Sequence, residues 1–107
     1  MIRHIVLIRF RKDLTEEAIA ALLAPIGPLS RRMGFVAVWG RSESPEQIER
    51  GYLHGFVADF PSWNTLSVYQ SDSDHKAFGA GLVAHADGGI DGLLVFDLAI
   101  PPEAPLT

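Results

Sequence analysis

The chain has 107 residues, no cysteine and a formal net charge of −4, and 48% of its residues are hydrophobic. This length suits one domain, and this hydrophobic content is typical of a folded protein rather than a disordered one. The absence of cysteine excludes disulfides, thiolate nucleophiles and sulfur-bound metals, and without a basic block we expect neither a nucleic-acid nor a membrane partner.

The N-terminal segment IRHIVLIRF predicts a first strand over Ile2–Phe10. Strand alternation directs four side chains to one face: His4, Val6, Ile8 and Phe10. The opposite face is also apolar at its centre, so both sides of the sheet need cover. The apolar stretch is too short for a signal peptide and basic residues follow it, so we expect no leader and a cytoplasmic location.

The next segment predicts a helix and a second strand. Thr15 is suited to cap the stretch EEAIAALL, whose two glutamates lie in the first turn. Pro25 interrupts the helical pattern, so the helix is expected to end just before it and to restart only over Leu29–Arg32. A strand is predicted over Phe35–Gly40, and the polar loop RSESPEQIERG follows it.

A third strand is predicted over Gly51–Phe60. Its alternation places five side chains on one face: Tyr52, His54, Phe56, Ala58 and Phe60. The segment GLLVFDLAI near the C-terminus predicts a fourth strand. One domain is therefore expected over residues 1–100, followed by a proline-rich tail over residues 101–107.

Two helical pieces are predicted between the third and fourth strands, separated by the polar run SDSD. The first, in SWNTLSVYQ, is expected to place Trp63, Leu66 and either Val68 or Tyr69 on one side, with Trp63 in packing or in the dimer interface. The second, HKAFGAGLVAHA, places His75, Phe78 and Leu82 on one face at positions i, i+3 and i+7. His75, at the start of this helix, is therefore expected to share a face with the core.

The order β-α-β-β-α-β is typical of a ferredoxin-like α+β fold, in which a four-stranded antiparallel sheet carries its helices on one face. The other face, predicted to include Ile5, Leu7 and Val95, would then be open. Soluble monomers rarely expose an apolar patch larger than roughly 300–600 Å². The sequence therefore predicts a homodimer that packs sheet to sheet.

The segments RHIVLIRF, GYLHGFVADF, WNTLSVYQSDSDHKAF and LLVFDLAI, in this order and spacing, resemble the stress-responsive A/B barrel (Dabb) family of dimeric α/β barrels. That family includes plant stress proteins, bacterial proteins without an assigned activity, and the polyketide cyclase olivetolic acid cyclase. The catalytic tyrosine and histidine of the cyclase are similar to Tyr69 and His75. Its pocket histidines are similar to His4 and His54, and an aromatic pocket wall to Phe78. The run SDSDH departs from the HPAH-like turn common in the family.

This resemblance implies that His75 acts as a base and that Tyr69 donates a hydrogen bond to a developing oxyanion, without a cofactor. The side chains predicted to bind the ligand are His4, Val6, Ile8, His54, Phe56 and Phe78. The predicted function is binding of a small aromatic or polyketide-like ligand, either alone or with cyclase, lyase or isomerase chemistry.

Three alternatives stay open. The histidines and the tyrosine are also compatible with an ordinary core in a non-catalytic stress-response or assembly protein. Cofactor-free oxygenase chemistry, as in related dimeric α/β barrels, has no marker in the sequence. Asp72, Asp74 and His75 are close in sequence, but they form no recognised ligand motif, so no metal site is predicted.

Overall fold

The computed structural model describes residues 1–101 as an alternation of strands and helices. The elements are β1 (Ile2–Ile8), α1 (Glu16–Leu23), α2 (Ile26–Met33), β2 (Val36–Arg41), β3 (His54–Phe60), α3 (Trp63–Ser71), α4 (Ser73–His85), a 3₁₀ turn (Gly89–Gly92) and β4 (Leu93–Ala99). The strands form one antiparallel sheet in the order β2-β3-β1-β4. The ferredoxin-like α+β prediction is therefore confirmed.

Strand pairing fixes which side chains face the helices. In β1, His4 lies opposite Ala58 of β3 and Asp97 of β4, and Val6 lies opposite Phe56 and Val95. Burial alternates strictly along β1 and β3. The fully buried side chains of the core come from the sheet and from all four helices: Ile8, Leu23, Ile26, Phe60, Leu66, Tyr69 and Leu82.

The other face of the sheet carries exposed apolar side chains. Val36 is 71% exposed, Val38 65% and Phe96 54%. Ile5 and Leu7 lie on this face as predicted, but Val95 does not, because its pairing with Val6 turns it toward the helices. The prediction for Val95 was wrong by one residue of strand alternation, and a slip of one residue reverses every side chain of a strand.

β1 and β3 are shorter than predicted: β1 ends earlier and β3 begins later. β1 ends at Ile8, after which the Arg9 amide donates to the Gly92 carbonyl and Phe10 forms only an isolated bridge with Ala86. β3 begins at His54 rather than at Gly51. Gly51 has a φ of 89°, a left-handed conformation that ends strand geometry and that glycine tolerates.

The helices differ from prediction in three places. The second helix spans Ile26–Met33 and not only Leu29–Arg32, because Pro25 and Pro28 lie at its start, where proline removes no internal hydrogen bond. Of the residues predicted to share one side of α3, Leu66 and Tyr69 are buried, whereas Trp63 is 56% exposed and does not pack within the chain. A single residue, Asp72, separates α3 from α4 in place of the whole SDSD run.

Gly55 lies where β3 passes very close to β1. A Cβ atom on Gly55 would lie 2.4 Å from the Val6 carbonyl oxygen and 3.0 Å from Leu7 Cδ2. Its partner on β2 is Gly40, so two residues without side chains lie side by side on the open face of the sheet.

Within residues 1–101, no helix has the length and apolarity needed to cross a bilayer.

Candidate functional site

A cavity of about 200 Å³ lies between the helix side of the sheet and helices α3 and α4. Its lining residues are His4, Val6, Phe56, Tyr69, Gln70, His75, Phe78, Gly79, Leu82, Leu93 and Val95. Most of this wall is apolar, and the titratable groups are His4, Tyr69 and His75. An apolar cavity with a few convergent polar groups is the usual form of a small-molecule site.

Tyr69, in the last turn of α3, is one of the residues that line this cavity, and its hydroxyl is buried. The residue has no exposed surface, and within residues 1–101 its hydroxyl has no hydrogen-bond partner. Burial raises the pKa of Tyr69 well above its ordinary value, so the phenol keeps its proton at neutral pH. An unsatisfied buried hydroxyl costs free energy, so this donor is available to any acceptor that reaches it.

His75 lies in the first turn of α4, with its ring centroid 4.1 Å from that of Tyr69. Its Nδ1 is 3.3 Å from the Gln70 carbonyl oxygen. Because a carbonyl oxygen only accepts, this contact favours a proton on Nδ1 and leaves Nε2 as the basic nitrogen. Burial lowers the pKa of His75, so the ring is neutral at pH 7 and able to accept a proton.

His4 also lies in the cavity wall, on β1. Its Nδ1 is hydrogen-bonded to the carboxylate of Asp97 on β4, directly opposite in the strand register. A carboxylate accepts from an Nδ1–H group, so this hydrogen bond fixes the orientation of the His4 ring in the cavity wall. Sequence reasoning missed Asp97, although a single acidic residue within the apolar strand LLVFDLAI was a usable signal.

His54 is placed elsewhere, although it was predicted to share the site with His4. It is buried on β3, with Nε2 2.8 Å from Oε2 of Glu16, and its ring packs against Phe10. Glu16 also accepts a hydrogen bond from Arg41 at 2.8 Å. The hydrogen bond from His54 lowers the pKa of Glu16. These contacts tie the start of α1 to the sheet, outside the cavity.

Of the other residues predicted to bind the ligand, three line the cavity and one does not. Val6, Phe56 and Phe78 line the cavity beside His4, Tyr69 and His75. Ile8 is fully buried in the core and is not part of the lining. The alternation of side chains along the strands therefore predicted which strand residues face the helices, but it did not predict where the cavity lies.

Among residues 1–101 there is no group of three or more histidine or acidic side chains arranged to hold a metal ion. Near His75, the carboxylates of Asp72 and Asp74 both pair with Arg32.

The profile of the stress responsive A/B barrel domain family, Dabb, matches residues 2–99. No curated protein matches the chain significantly in sequence. Among solved structures, a dimeric ferredoxin-like protein of unknown function from Jannaschia sp. CCS1 is 27% identical, with a TM-score of 0.85 over 92% of this chain and 98% of its own.

Two plant proteins have similar structures. One, from Arabidopsis thaliana, is 25% identical, with a TM-score of 0.81 over 99% of this chain and 100% of its own. The other, the hydroxynitrile lyase of Passiflora edulis, is 20% identical, with a TM-score of 0.81 over 97% of this chain and 96% of its own. At that identity, the lyase is evidence for a shared fold alone.

Proposed function

Because the chain belongs to the stress responsive A/B barrel domain family, we propose that it is a homodimeric α/β barrel that binds a small aromatic or polyketide-like carbonyl compound in the cavity beside Tyr69 and His75. There it acts on the ligand by acid–base chemistry of the cyclase, lyase or isomerase type, without a cofactor. The proposal retains the cytoplasmic location expected from the sequence.

The observation that carries this proposal is the unsatisfied hydroxyl of Tyr69 beside the neutral ring of His75. The phenol offers a donor in a wall that is otherwise largely apolar, and the adjacent imidazole offers an acceptor for a proton. A donor held in a site that excludes water stabilises a developing oxyanion far better than the same donor in water. The pair is therefore suited to a substrate in which a carbonyl lies next to an acidic carbon.

The proton balance of the step is simple. His75 Nε2 takes a proton from the carbon next to the carbonyl, and the electron pair of that C–H bond forms the double bond of an enolate. The negative charge moves to the carbonyl oxygen, which accepts the hydrogen bond from Tyr69. Returning the proton to another atom gives an isomer, whereas attack of the enolate carbon on a second carbonyl closes a ring. General-base catalysis of this kind contributes roughly 10²–10⁴-fold.

The size of the cavity limits the ligand. At about 200 Å³, it is somewhat larger than the engineered apolar cavity of about 150 Å³ that admits benzene. One ring with a short carbonyl substituent fits this space, and so does a folded chain of similar volume. A fused polycyclic compound would require the walls to move.

The proposed dimer covers the open face of the sheet. That face exposes Val36, Val38, Leu94, Phe96 and Leu98, and the similar protein from Jannaschia is described as dimeric. We expect Val38→Asp to convert the protein from dimer to monomer in light scattering at micromolar concentration. Val68→Asp, an equally drastic change at an exposed residue of α3, should leave the dimer intact. A wild-type monomer would refute the sheet-to-sheet assembly.

The catalytic proposal is tested by deuterium exchange into acetophenone, a single ring with a methyl ketone. In heavy water, enolisation replaces the methyl hydrogens with deuterium, which proton NMR measures directly. We expect the wild type to accelerate exchange above buffer, His75→Gln to abolish the acceleration and Tyr69→Phe to reduce it. Because its pKa is lowered, His75 remains a base below pH 6.5, so the rate should fall only at more acidic pH.

Binding without turnover gives a different pattern. If aryl ketones raise the melting temperature of the wild type but exchange stays at the buffer rate, the protein is a binder and the catalytic roles of His75 and Tyr69 are wrong. If neither His75→Gln nor Tyr69→Phe changes binding or exchange, the cavity is not the functional site. The non-catalytic alternative, in which the dimer itself is the functional object, would then be preferred.

A further inference from the structure

The Tyr69–His75 pair is created by the junction between α3 and α4. Tyr69 lies in the last turn of α3 and His75 in the first turn of α4, with only Asp72 between the two helices. The contact between His75 Nδ1 and the Gln70 carbonyl also crosses this junction. The distance and angle between the two rings therefore depend on how the backbone turns at Asp72.

The side chain of Asp72 holds this turn. Its Oδ2 accepts from the backbone amides of Asp74 at 3.0 Å and His75 at 3.2 Å, which makes Asp72 the N-cap of α4. An N-cap acceptor satisfies amides that have no partner inside the helix and fixes the direction in which the chain enters it. Because one of these amides belongs to His75 itself, the cap also positions the backbone from which the imidazole extends.

Arg32 holds the same carboxylate from α2. Its two terminal nitrogens contact Asp72 at 3.2 Å (NH1 to Oδ1) and 2.7 Å (NH2 to Oδ2), and the second also contacts Asp74 at 3.0 Å. A two-point contact of this kind restricts the rotation of a carboxylate as well as attracting it. The Asp72 side chain is only 18% exposed, so this pairing is partly shielded from water.

We propose that Arg32 is a positioning residue for the cavity: by fixing the carboxylate of Asp72 as the cap of α4, it sets the orientation of the His75 ring against Tyr69. This inference rests on the proposed function of His75 and Tyr69. It gives the run SDSDH, residues 71–75, a geometric role. The direct contact passes from Arg32 to Asp72, and only Asp72 touches the backbone of His75.

The test compares Arg32→Gln with Arg32→Lys, and Arg31→Gln is the matched control. Arg31 is the preceding residue of α2 and is exposed, and within residues 1–101 it forms no ion pair. Its replacement therefore makes the same change in net charge without touching Asp72. Isolated surface ion pairs add little to stability, so we expect all three variants to remain folded, which circular dichroism would verify.

The first readout is the His75 ring itself, followed by long-range proton–nitrogen correlation NMR as a function of pH. We expect Arg32→Gln to lower the fraction of the Nδ1–H tautomer and to move the pKa of His75 back toward its ordinary value, because a looser ring is better solvated. The other groups that act on the pKa of His75 are the Gln70 carbonyl and the Asp72 carboxylate, which raise it, and His4 and Lys76, which lower it; all four are unchanged in the Arg32 and Arg31 variants. Arg32→Lys should give an intermediate result because lysine keeps the charge but not the two-point contact.

The second readout is the exchange of acetophenone. Misplacement of a reacting group by about 1 Å can cost up to ~10²-fold in rate, so we expect Arg32→Gln to lower kcat by about tenfold while KM stays close to that of the wild type. A second route to the same change is Asp72→Asn, which retains an acceptor for the cap but weakens the pairing with Arg32. It should lower the fraction of the Nδ1–H tautomer as Arg32→Gln does, whereas loss of the Asp72 charge, which raises the pKa of His75, acts on that pKa in the opposite direction.

Two results would overturn the proposal. One is an unchanged tautomer and pKa of His75 in Arg32→Gln. The other is an equal shift in Arg31→Gln, which would indicate a general effect of charge. The titration needs no substrate, so it is separable from the proposed function: a wild type that exchanges no ketone refutes the chemistry, whereas an unmoved His75 titration refutes only the role of Arg32.

Discussion

His4 and His54 lie on neighbouring strands, both buried on the helix side of the sheet and both bonded to a carboxylate. Only His4 borders the cavity. The ring of Phe10 and the carboxylate of Glu16 occupy the space at His54, whereas His4 faces Tyr69 and the empty volume beside α4. Similar burial and similar partners therefore do not make two histidines equivalent, because what packs above each one decides whether a ligand can reach it.

The largest expected difference between these two regions is in stability. Leu23 belongs to α1, the helix that Glu16 begins, and Leu82 belongs to α4; both are fully buried, but only Leu82 lines the cavity. Leu-to-Ala changes in a core cost about 2–5 kcal/mol. We expect the loss in free energy of unfolding, measured by urea denaturation, to be near the upper end of this range for Leu23→Ala. It should be near the lower end for Leu82→Ala, because one side of Leu82 already lacks packing partners.

The same two variants differ in binding. Leu82→Ala enlarges the cavity and should increase the affinity for aryl ketones with a longer chain, measured by calorimetry, whereas Leu23→Ala should leave ketone affinity unchanged. Equal costs in stability, together with unchanged binding in both variants, would mean that the cavity behaves as ordinary core.

A smaller difference is expected when each histidine is replaced by asparagine. His4→Asn removes a polar group from the cavity wall and frees Asp97, so acetophenone exchange should fall by up to about tenfold, the equivalent of losing one hydrogen bond worth about 1.5 kcal/mol. His54→Asn should leave the exchange rate unchanged, because its contacts are with Glu16 and Phe10. A comparable loss of activity in both variants would contradict the separation of the two sites.

The smallest expected effect is the pH dependence of the His54 region. His54 and Arg41 lower the pKa of Glu16 below its ordinary value of 4.5, so the ionised carboxylate favours the folded state. This stabilisation is present above pH 4.5 and is lost as the pH falls through the lowered pKa. Relative to Glu16→Gln, the wild type should have a higher urea midpoint at pH 7, and the gap should close near pH 3. A gap that does not change with pH would show that the charge of Glu16 is unimportant.

The sequence was sufficient for the order of elements because its strands alternate and its helices begin at recognisable caps such as Thr15, which accepts from the Ala18 amide. It also selected Tyr69 and His75 as candidates through the resemblance to a known family, and the structure brings these two rings together. The sequence could not show that His54 lies outside the cavity, because strand alternation predicts the face on which a side chain lies but not what packs against that face. Asp97 and Arg32 were missed because each acts on a residue distant in sequence, 93 positions away for His4 and Asp97 and 40 for Arg32 and Asp72.

The close approach of β3 to β1 at Gly55 affects how mutational data on this protein would be interpreted. Any side chain there would collide with the Val6 carbonyl oxygen, which belongs to a residue whose own side chain lines the cavity. A saturation screen would therefore score Gly55 as intolerant, and its variants would disturb the ligand site through the backbone. Loss of activity on substitution of Gly55 would result from a change in the spacing between β1 and β3. Gly55 should therefore not be counted among the residues that contact the substrate.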